Sequence, residues 1–470
     1  MLNRIRAFLL SVLVLFILCA CGKTVDETPY ESLMAELEAS STPAPEQDRA
    51  LTVATNKYSP FFAAHARAYM DAHPGVTIEI KEYQEQVIGE NSEIAVQVMA
   101  GSGPDIVASL ISRNFLESGR LLDLYPLMEN DPEFRKEDYF MNVVSAMETG
   151  GRLYAFPYDY QFPGLFAMRK DVDPEAAHEF ETAERVTYED MLSWFERAGS
   201  PSGVIYEGFG PHDALLYCYD SAIDLRDKSC NFPDSPLGAM LERAKALPAP
   251  HSTYTSDGMN IETDLKQGTD MFTDLTNTDY RYLFWANPVL NSEPQVLFPY
   301  EGSIFTKPRL ISSAGGKTLF DVGNVLAITD SCEDPELAWD FIRFCVADKT
   351  EPYDWFNYNT ASTNWYYSVG SLAAVNRSTY AAQCAFYADT QYELGIEAAG
   401  MTPIGEKEQV IADAVAFLTA LPDQLELSIS PYTVVNDIIW PDLYLYFSDQ
   451  QSIDVTLENI QSKVSLYLNE

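Results

Sequence analysis

The sequence is poor in basic residues and in histidine. It has 30 lysines and arginines against 70 aspartates and glutamates, a formal net charge of −40 at pH 7. A broad negative field of this size opposes binding to nucleic acid, anionic lipid and anionic solutes, although it does not exclude a local basic pocket. None of the five histidines forms an H-x-x-x-H pair, so we expect no dedicated zinc site.

Motifs of covalent and metal-dependent catalysis are also missing. There is no G-x-S-x-G, H-E-x-x-H or P-loop pattern in the chain. We therefore expect neither an enzyme nor a bound cofactor. Carboxylates are abundant, however, and a glycosidase needs only two of them, so a surface glycosidase stays open as the enzymatic alternative.

Cysteine is scarce as well. Apart from Cys19 and Cys21, five remain, an odd number without C-x-x-C spacing, namely Cys218, Cys230, Cys332, Cys345 and Cys384. No disulfide framework follows from this pattern, although a Cys218–Cys230 bond stays open. Cys345 lies on an apolar helical face, which predicts a buried structural thiol.

The only long apolar run lies near the N-terminus. It extends from Ala7 to Leu18 after two arginines. A membrane-spanning helix needs about 20 apolar residues, so this run predicts the hydrophobic region of a signal peptide, residues 1–20. It ends in Leu18-Cys19-Ala20-Cys21-Gly22, which resembles the bacterial lipobox. We expect Cys21 to be lipidated; the alternative is an ordinary signal peptide that leaves Cys21 as a free thiol.

Residues 21–49 are expected to form a disordered tether. From Lys23 to Arg49 the chain is rich in Glu, Ser, Thr and Pro and poor in large apolar residues. Such a segment cannot bury enough surface to offset the entropy lost on ordering. It would hold a folded body away from the membrane.

The body, residues 50–470, alternates predicted strands and helices. Its length of about 420 residues exceeds the roughly 250–300 residues at which single cores stop growing, so two lobes are expected. Ala50–Thr55, the alternating Val76, Ile78 and Ile80, and Asp105–Ser109 predict strands separated by helices. This order indicates an α/β fold with mainly parallel sheets flanked by helices.

Several segments of the body carry a family resemblance. They stand in one order along the chain: PGVTIE (74–79), AGSGPDIV (100–107), GRLLDLYPLM (119–128), GGRLYAFPY (150–158), NFPDSPLGAMLERAKALP (231–248), AWDFIRFCVAD (338–348), LAAVNRS (372–378) and the terminal helix. In this order they resemble the family 1 extracellular solute-binding proteins of ABC importers. The usual N-K-D appears here as Met168-Arg169-Lys170-Asp171, and residues 213–300 match poorly.

The resemblance implies a two-lobed, periplasmic-binding-protein-like fold with a hinge and an interlobe cleft. Lobe I is expected to comprise residues 50–157 and about 321–371. Lobe II is expected to comprise about 158–320 and 372–470. The chain would cross between the lobes near residues 154–160, 320–325 and 372–378.

Candidate ligand contacts follow from strand ends and from aromatic loops. Open α/β sheets bind ligands at the carboxyl edge of their strands, which selects Tyr58 and Ser109. The first crossing contributes Tyr158, Asp159 and Tyr160, unless these residues only pack the hinge. Aromatic rings can stack on the C–H faces of a sugar, which adds the candidates Trp285, Trp355 and Trp365.

The expected function is therefore capture of a small solute, a sugar and in particular an oligosaccharide, on the extracellular or periplasmic face of the membrane. The expected partners are the transmembrane permease subunits of an ABC importer and the membrane itself, through the lipid anchor. The body is expected to be a monomer. A polyamine or peptide ligand and a role as an adhesion or structural lipoprotein remain open alternatives.

Overall fold

The fold is given by a computed structural model, which describes residues 49–56, 61–84, 87–89, 92–167, 174–198, 203–204, 218–246, 252–255, 258–261, 281–282, 284–288, 297–298, 300–301, 307–348, 373–397 and 400–469. The chain from Ala50 to Glu470 forms a unit of its own, separate from Met1–Arg49. Cys21 and the predicted tether up to residue 48 lie outside the described residues. Within them, no helix is both long and apolar enough to cross a membrane.

The described strands are β1 (Arg49–Asn56), β2 (Val76–Tyr83), β3 (Val87–Ile88), β4 (Ile106–Ile111), β5 (Glu148–Thr149), β6 (Arg152–Leu153), β7 (Phe156–Pro157), β8 (Asp159–Gln161), β9 (Pro163–Ala167), β10 (Arg185–Thr187), β11 (Gly203–Val204), β12 (Ile223–Asp224), β13 (Ser229–Cys230), β14 (Ser252–Thr255), β15 (Gly258–Ile261), β16 (Arg281–Tyr282), β17 (Phe284–Pro288), β18 (Arg309–Ser312), β19 (Leu319–Val322), β20 (Val325–Ile328), β21 (Ala373–Ala374) and β22 (Leu427–Ser428).

The described α-helices are α1 (Phe61–Ala72), α2 (Glu93–Met99), α3 (Arg113–Leu116), α4 (Tyr125–Asn130), α5 (Met141–Ser145), α6 (Pro174–Thr182), α7 (Tyr188–Ala198), α8 (Tyr219–Ala222), α9 (Leu237–Ala246), α10 (Pro335–Val346), α11 (Arg377–Gln391), α12 (Lys407–Ala420), α13 (Thr433–Phe447) and α14 (Ile453–Asn469). Short 3₁₀ turns occupy Lys136–Asp138, Pro422–Gln424 and Ser430–Tyr432, and Tyr392–Glu397 is a π-helical turn.

The largest sheet has the order β2-β1-β4-β20-β7, with β3 also paired to β4. The three strands predicted for the start of the body are confirmed as β1, β2 and β4. Strands β1 and β4 are parallel, with Val53 opposite Ile106. Strand β20 enters from a later part of the chain and runs antiparallel to β4, so the sheet is mixed rather than wholly parallel.

A second, four-stranded sheet has the order β10-β18-β9-β17. Strands β10 and β18 are parallel, whereas β9 runs antiparallel to both β17 and β18. Helices flank both sheets. The α/β class is therefore confirmed, with antiparallel strands added to each parallel pair.

Helices α1, α10 and α14 show how the local sequence sets helix ends and buried faces. Asp334 caps α10 by accepting a hydrogen bond from the backbone N–H of Leu337 at 3.1 Å, and Pro335 takes the first helical position. Helix α1 buries Phe62 and Tyr69 and ends before Gly75, whose φ of 92° favours glycine. In α14 the buried residues Leu457, Ile460, Val464 and Leu468 recur at helical spacing on one face.

In the part of the chain that the structure describes, the buried side chains form two hydrophobic cores. The first lies around β1, β4, β20 and α10, and the second around α7, α9, α13 and α14. Residues 373–425, which the sequence assigns to lobe II, contribute side chains such as Tyr380 and Leu418 to the first core. The proposed lobe boundaries stay a prediction.

The five cysteines of the body are all free thiols. The open possibility of a Cys218–Cys230 bond is therefore not realised. Cys345 is buried, as its helical position predicts. Burial raises the pKa of Cys218, Cys332 and Cys384 to about 12, so these thiols stay protonated and unreactive at neutral pH.

Candidate functional site

A third sheet joins segments that are far apart in sequence. Its order is β21-β8-β19-β22. Strand β8 pairs antiparallel with β19, with Val322 opposite Tyr160, and with β21, with Ala373 opposite Tyr160. The three segments predicted to cross between the lobes thus lie side by side, joined by a fourth, β22, that the sequence did not suggest. We call this sheet the hinge sheet.

Asp159, at the start of β8, is bound to Asn324 in the segment between β19 and β20. Its Oδ1 accepts a hydrogen bond from the backbone N–H of Asn324 at 2.7 Å, and its Oδ2 accepts one from Asn324 Nδ2 at 2.8 Å. In return, the Asn324 carbonyl accepts from the backbone N–H of Tyr158 at 2.8 Å. These contacts, the Asp159–Asn324 clasp, join the first predicted crossing to the second.

The clasp requires glycine at position 323. A Cβ at that position would lie 2.0 Å from Asp159 Oδ1, closer than any real contact. The Gly323 N–H also donates to the Asp159 carbonyl at 3.0 Å. The short side chain thus lets the two crossings approach closely.

Burial makes the Asp159 carboxyl unusual. It is 4 % exposed, and desolvation raises its pKa from 3.8 to about 7, against the lowering effect of the two bonds from Asn324. The nearby Asp321 carboxyl, which accepts from Ser430 Oγ and Gln161 Nε2, raises that pKa further. Asp159 is thus near its titration midpoint at neutral pH.

The carboxyl edge of the largest sheet lies next to this clasp. Asn56 ends β1 and donates from Nδ2 to Ser109 Oγ of β4 at 2.8 Å, with both side chains buried. Ser109 pairs with Val325 of β20, directly after Asn324. A row of buried polar groups therefore runs from the strand ends to the hinge sheet. The sequence selected Ser109 and missed Asn56, although a polar residue closing an apolar strand was a usable signal.

Aromatic rings surround Tyr158, the residue that precedes β8. Tyr158 stacks on Phe61, with ring centroids 4.9 Å apart and an angle of 9° between the planes, and meets the edge of Phe62 at 5.1 Å. Its hydroxyl lies 2.8 Å from His65 Nε2. Burial raises the pKa of Tyr158 well above its usual range, so the phenol stays neutral. His65 is a second residue that the sequence did not select.

Tyr160 occupies a different environment from its neighbours in β8. It is fully buried, and its ring packs near Phe140, Phe162 and Phe320. Its hydroxyl has no hydrogen-bond partner among the described residues. The structure thus gives Tyr160 a packing position in the core; its role as a ligand contact stays a prediction.

The remaining predicted contacts are described only in part. Trp285 lies in β17, opposite Phe166 of β9 in the antiparallel register. Tyr58, Trp355 and Trp365 lie outside the described residues. Across the described part of the chain, no cluster of three or more His, Cys, Asp or Glu side chains is arranged to hold a metal ion.

Comparison with known families identifies the chain. The sequence model of the bacterial extracellular solute-binding proteins matches residues 64–361, more than half of the chain. The chain belongs to the bacterial extracellular solute-binding proteins. A search of curated proteins finds no match for this solute-binding protein.

Solved structures give the same fold. The sugar-binding protein MalE of Xanthomonas citri superposes with a TM-score of 0.56 at 14% identity, covering 89% of this chain and 97% of its own. A family 1 solute-binding protein of Alicyclobacillus acidocaldarius superposes with a TM-score of 0.54 at 14% identity, covering 91% of this chain and 100% of its own. An oligogalacturonide-binding protein of Yersinia enterocolitica superposes with a TM-score of 0.54 at 14% identity, covering 89% of this chain and 99% of its own. This solute-binding protein therefore has the two-lobed fold that its sequence predicted.

Proposed function

We propose that this protein captures a neutral sugar, an oligosaccharide, in the cleft between its lobes and delivers it to the permease subunits of an ABC importer. The observation that carries the proposal is the group of polar side chains Asn56, Ser109, Tyr158 and His65, which lie near the strand ends and the hinge sheet. Ligands of open α/β sheets bind at such edges. Amides, hydroxyls and aromatic rings suit a polyhydroxylated ring.

The similar structures support a sugar as the ligand class. The Xanthomonas protein is described as sugar-binding and the Yersinia protein as oligogalacturonide-binding. For this chain, the net charge of −40 opposes an anionic galacturonide and favours a neutral sugar. A micromolar dissociation constant, about −8 kcal/mol, would allow both capture and release.

The proposed ligand contacts are those selected by the sequence: Tyr58, Ser109, Tyr158, Asp159, Tyr160, Trp285, Trp355 and Trp365. For Ser109, its hydrogen bond with Asn56 near the strand ends adds support. For Tyr158, its backbone bond to Asn324 beside the hinge sheet adds support. For Asp159, the clasp with Asn324 favours a second role in positioning the hinge.

The protein is further proposed to be anchored through lipidated Cys21 on the extracellular side of the membrane, or in the periplasm of a cell with an outer membrane. It is proposed to act as a monomer. Because it binds a solute for transport, we expect it to return that solute chemically unchanged. Membership in a family of binding proteins supports this expectation.

Equilibrium dialysis followed by chromatography of the recovered ligand tests the proposal. The mature chain should retain a neutral oligosaccharide from a mixed panel and release the same compound. Hydrolysis of a glycoside, abolished by one carboxylate substitution, would instead identify a glycosidase. Retention of spermidine or of a peptide, with no sugar retained, would keep the binding role and overturn the sugar.

A further inference from the structure

The second lobe contains a polar pocket of about 460 Å³. Its walls come from α8, from the β12–β13 hairpin, from Lys317 and from Tyr432. Ligand pockets have volumes of about 300–1,000 Å³, so this one has room for a small molecule. Most of its wall residues fall in the segment, residues 213–300, that matches the family poorly.

The pocket lies beside the hinge sheet and reaches the first lobe. Leu427 of β22 forms part of its wall, and Lys317 precedes β19 by two positions. Arg113, the first residue of α3 after β4, donates to the carbonyl of Leu225, another wall residue, at 3.4 Å. The wall of the pocket therefore touches the first lobe just beyond the carboxyl end of β4.

Asp220 lies in the wall, and only one of its two carboxylate oxygens accepts a hydrogen bond from a residue that the structure describes. Its Oδ2 accepts from Ser313 Oγ at 2.7 Å, and a Cβ on Gly315 would lie 2.2 Å from that oxygen. Its Oδ1 is buried and has no hydrogen-bond partner among the described residues. A buried acceptor without a donor is costly, so a donor supplied by a ligand would stabilise it.

The charges of the wall balance. Asp220 and Asp224 are opposed by Arg226 and Lys317. The Asp224 carboxylate accepts from the backbone N–H groups of Arg226 and Asp227, each at 2.9 Å. The side chains of Arg226 and Lys317 form no ion pair with any residue that the structure describes. Two cationic donors thus remain available, and the four formal charges sum to zero although the chain carries −40.

An aromatic wall completes the pocket. Tyr432 stacks on Tyr219, with ring centroids 4.6 Å apart and 7° between the planes. Burial raises the pKa of Tyr432 to about 12, so its hydroxyl stays neutral. The stack fixes the orientation of the Tyr432 ring beside the charged groups.

We propose that this pocket is the second-lobe part of the solute site and that it holds one neutral, polyhydroxylated ring of the ligand. Each ring hydroxyl both donates and accepts, so it can bond Asp220 Oδ1 and a cationic donor together. The formal charges of the wall residues sum to zero, so the charge of a charged ligand would not be compensated in this pocket. The inference rests on the proposed sugar-binding function and adds the residues and the ligand class of the second lobe.

Calorimetric titration of full-length mature protein with maltotriose, cellotriose and xylotriose tests the inference. Asp220→Asn and Arg226→Gln should each raise the dissociation constant of the trisaccharide that binds at least about tenfold. Asp227→Asn is the matched control, because Asp227 follows Arg226 in the same exposed turn but does not line the pocket. It should leave the dissociation constant within about twofold of the wild-type value. Circular dichroism and thermal midpoints verify that each variant folds. If Asp220→Asn does not fold, the dissociation constant of Arg226→Gln decides the test, because Arg226 is exposed and its substitution should not affect folding.

The outcomes separate this inference from the function on which it rests. Equal dissociation constants for wild type and both wall variants would overturn the pocket and leave sugar binding standing. Absence of binding by the wild type to any of the three sugars would overturn the proposed function and the pocket together. Binding of trigalacturonate or spermidine that is lost in Asp220→Asn would overturn the neutral ligand class.

Discussion

Asp159 and Asn324 hold two crossings of the hinge together through two hydrogen bonds of 2.7 and 2.8 Å to one buried carboxyl group. The residues are 165 positions apart. Both belong to segments that the sequence predicts to cross between the lobes. A change in this clasp is therefore expected to alter both stability and hinge geometry.

Stability should depend on pH through Asp159. Its pKa is about 7 when folded and about 3.9 when unfolded. Because the pKa of Asp159 is higher in the folded state, protonation of Asp159 stabilises the fold. This contribution to the unfolding free energy is fully present below about pH 4 and is lost as pH rises through about 7. The difference in unfolding free energy between wild type and Asp159→Asn should thus fall with pH in this window, by up to about 1.4 kcal/mol per unit.

Urea denaturation of both proteins between pH 4 and 8 measures that difference. Asp227→Asn, which removes an exposed carboxylate, is the matched control and should show no such slope. A constant difference between wild type and Asp159→Asn across the window would mean that Asp159 does not titrate there.

Gly323→Ala should disrupt the clasp. The added methyl group would lie 2.0 Å from Asp159 Oδ1, so the crossings must separate. Overpacking of this kind costs roughly 1–3 kcal/mol of unfolding free energy. Gly89→Ala is the control, since its methyl group would meet nothing closer than 3.8 Å.

The double variant Asp159→Ala/Gly323→Ala isolates the cause of that cost. Removing the carboxyl should relieve the clash, so the two losses of stability should be clearly less than additive. If denaturant unfolding gave strictly additive losses of unfolding free energy, the destabilisation by Gly323→Ala would not come from a clash with Asp159.

Cys21→Ala should prevent anchoring. Each buried methylene contributes about 0.8 kcal/mol, so two or more acyl chains hold a protein stably at a membrane. The variant should move from the detergent phase to the aqueous phase, or accumulate as precursor, and intact mass should show the loss of acyl groups. The prediction fails if partitioning and mass remain those of the wild type apart from the substitution.

Ligand binding should close the lobes around the hinge sheet. A ligand that contacts both lobes stabilises the closed state by its differential affinity for that state. Small-angle X-ray scattering with saturating ligand should therefore give a smaller radius of gyration than scattering without ligand. An unchanged radius, with binding verified independently, would argue against closure.

Local patterns of the sequence predicted elements well and long-range pairings poorly. The alternation of Val76, Ile78 and Ile80 predicted β2, because strand periodicity is a local property. The partner of Asp159 depends on a contact 165 residues away, which no local pattern encodes. The fourth hinge strand, β22, has only two residues and carries too little periodicity to be detected.

The candidate site shows the same limit. The sequence offered Tyr158, Asp159 and Tyr160 together, either as ligand contacts or as packing of the hinge, and could not separate them. Successive side chains of a strand point to opposite faces. Asp159 accordingly meets Asn324, whereas Tyr160 packs into the aromatic core. Asp220 was missed because its surroundings, Ser313 and Gly315, come from another part of the chain.

Calorimetric titration of the mature protein with a panel of ligands tests the central claim most directly. The panel comprises neutral mono- and oligosaccharides, oligogalacturonides, polyamines and short peptides. The account predicts that a neutral oligosaccharide binds with a dissociation constant near micromolar, about −8 kcal/mol, and that oligogalacturonides bind more weakly. Heat from polyamines or peptides, with none from any neutral sugar, would contradict the account.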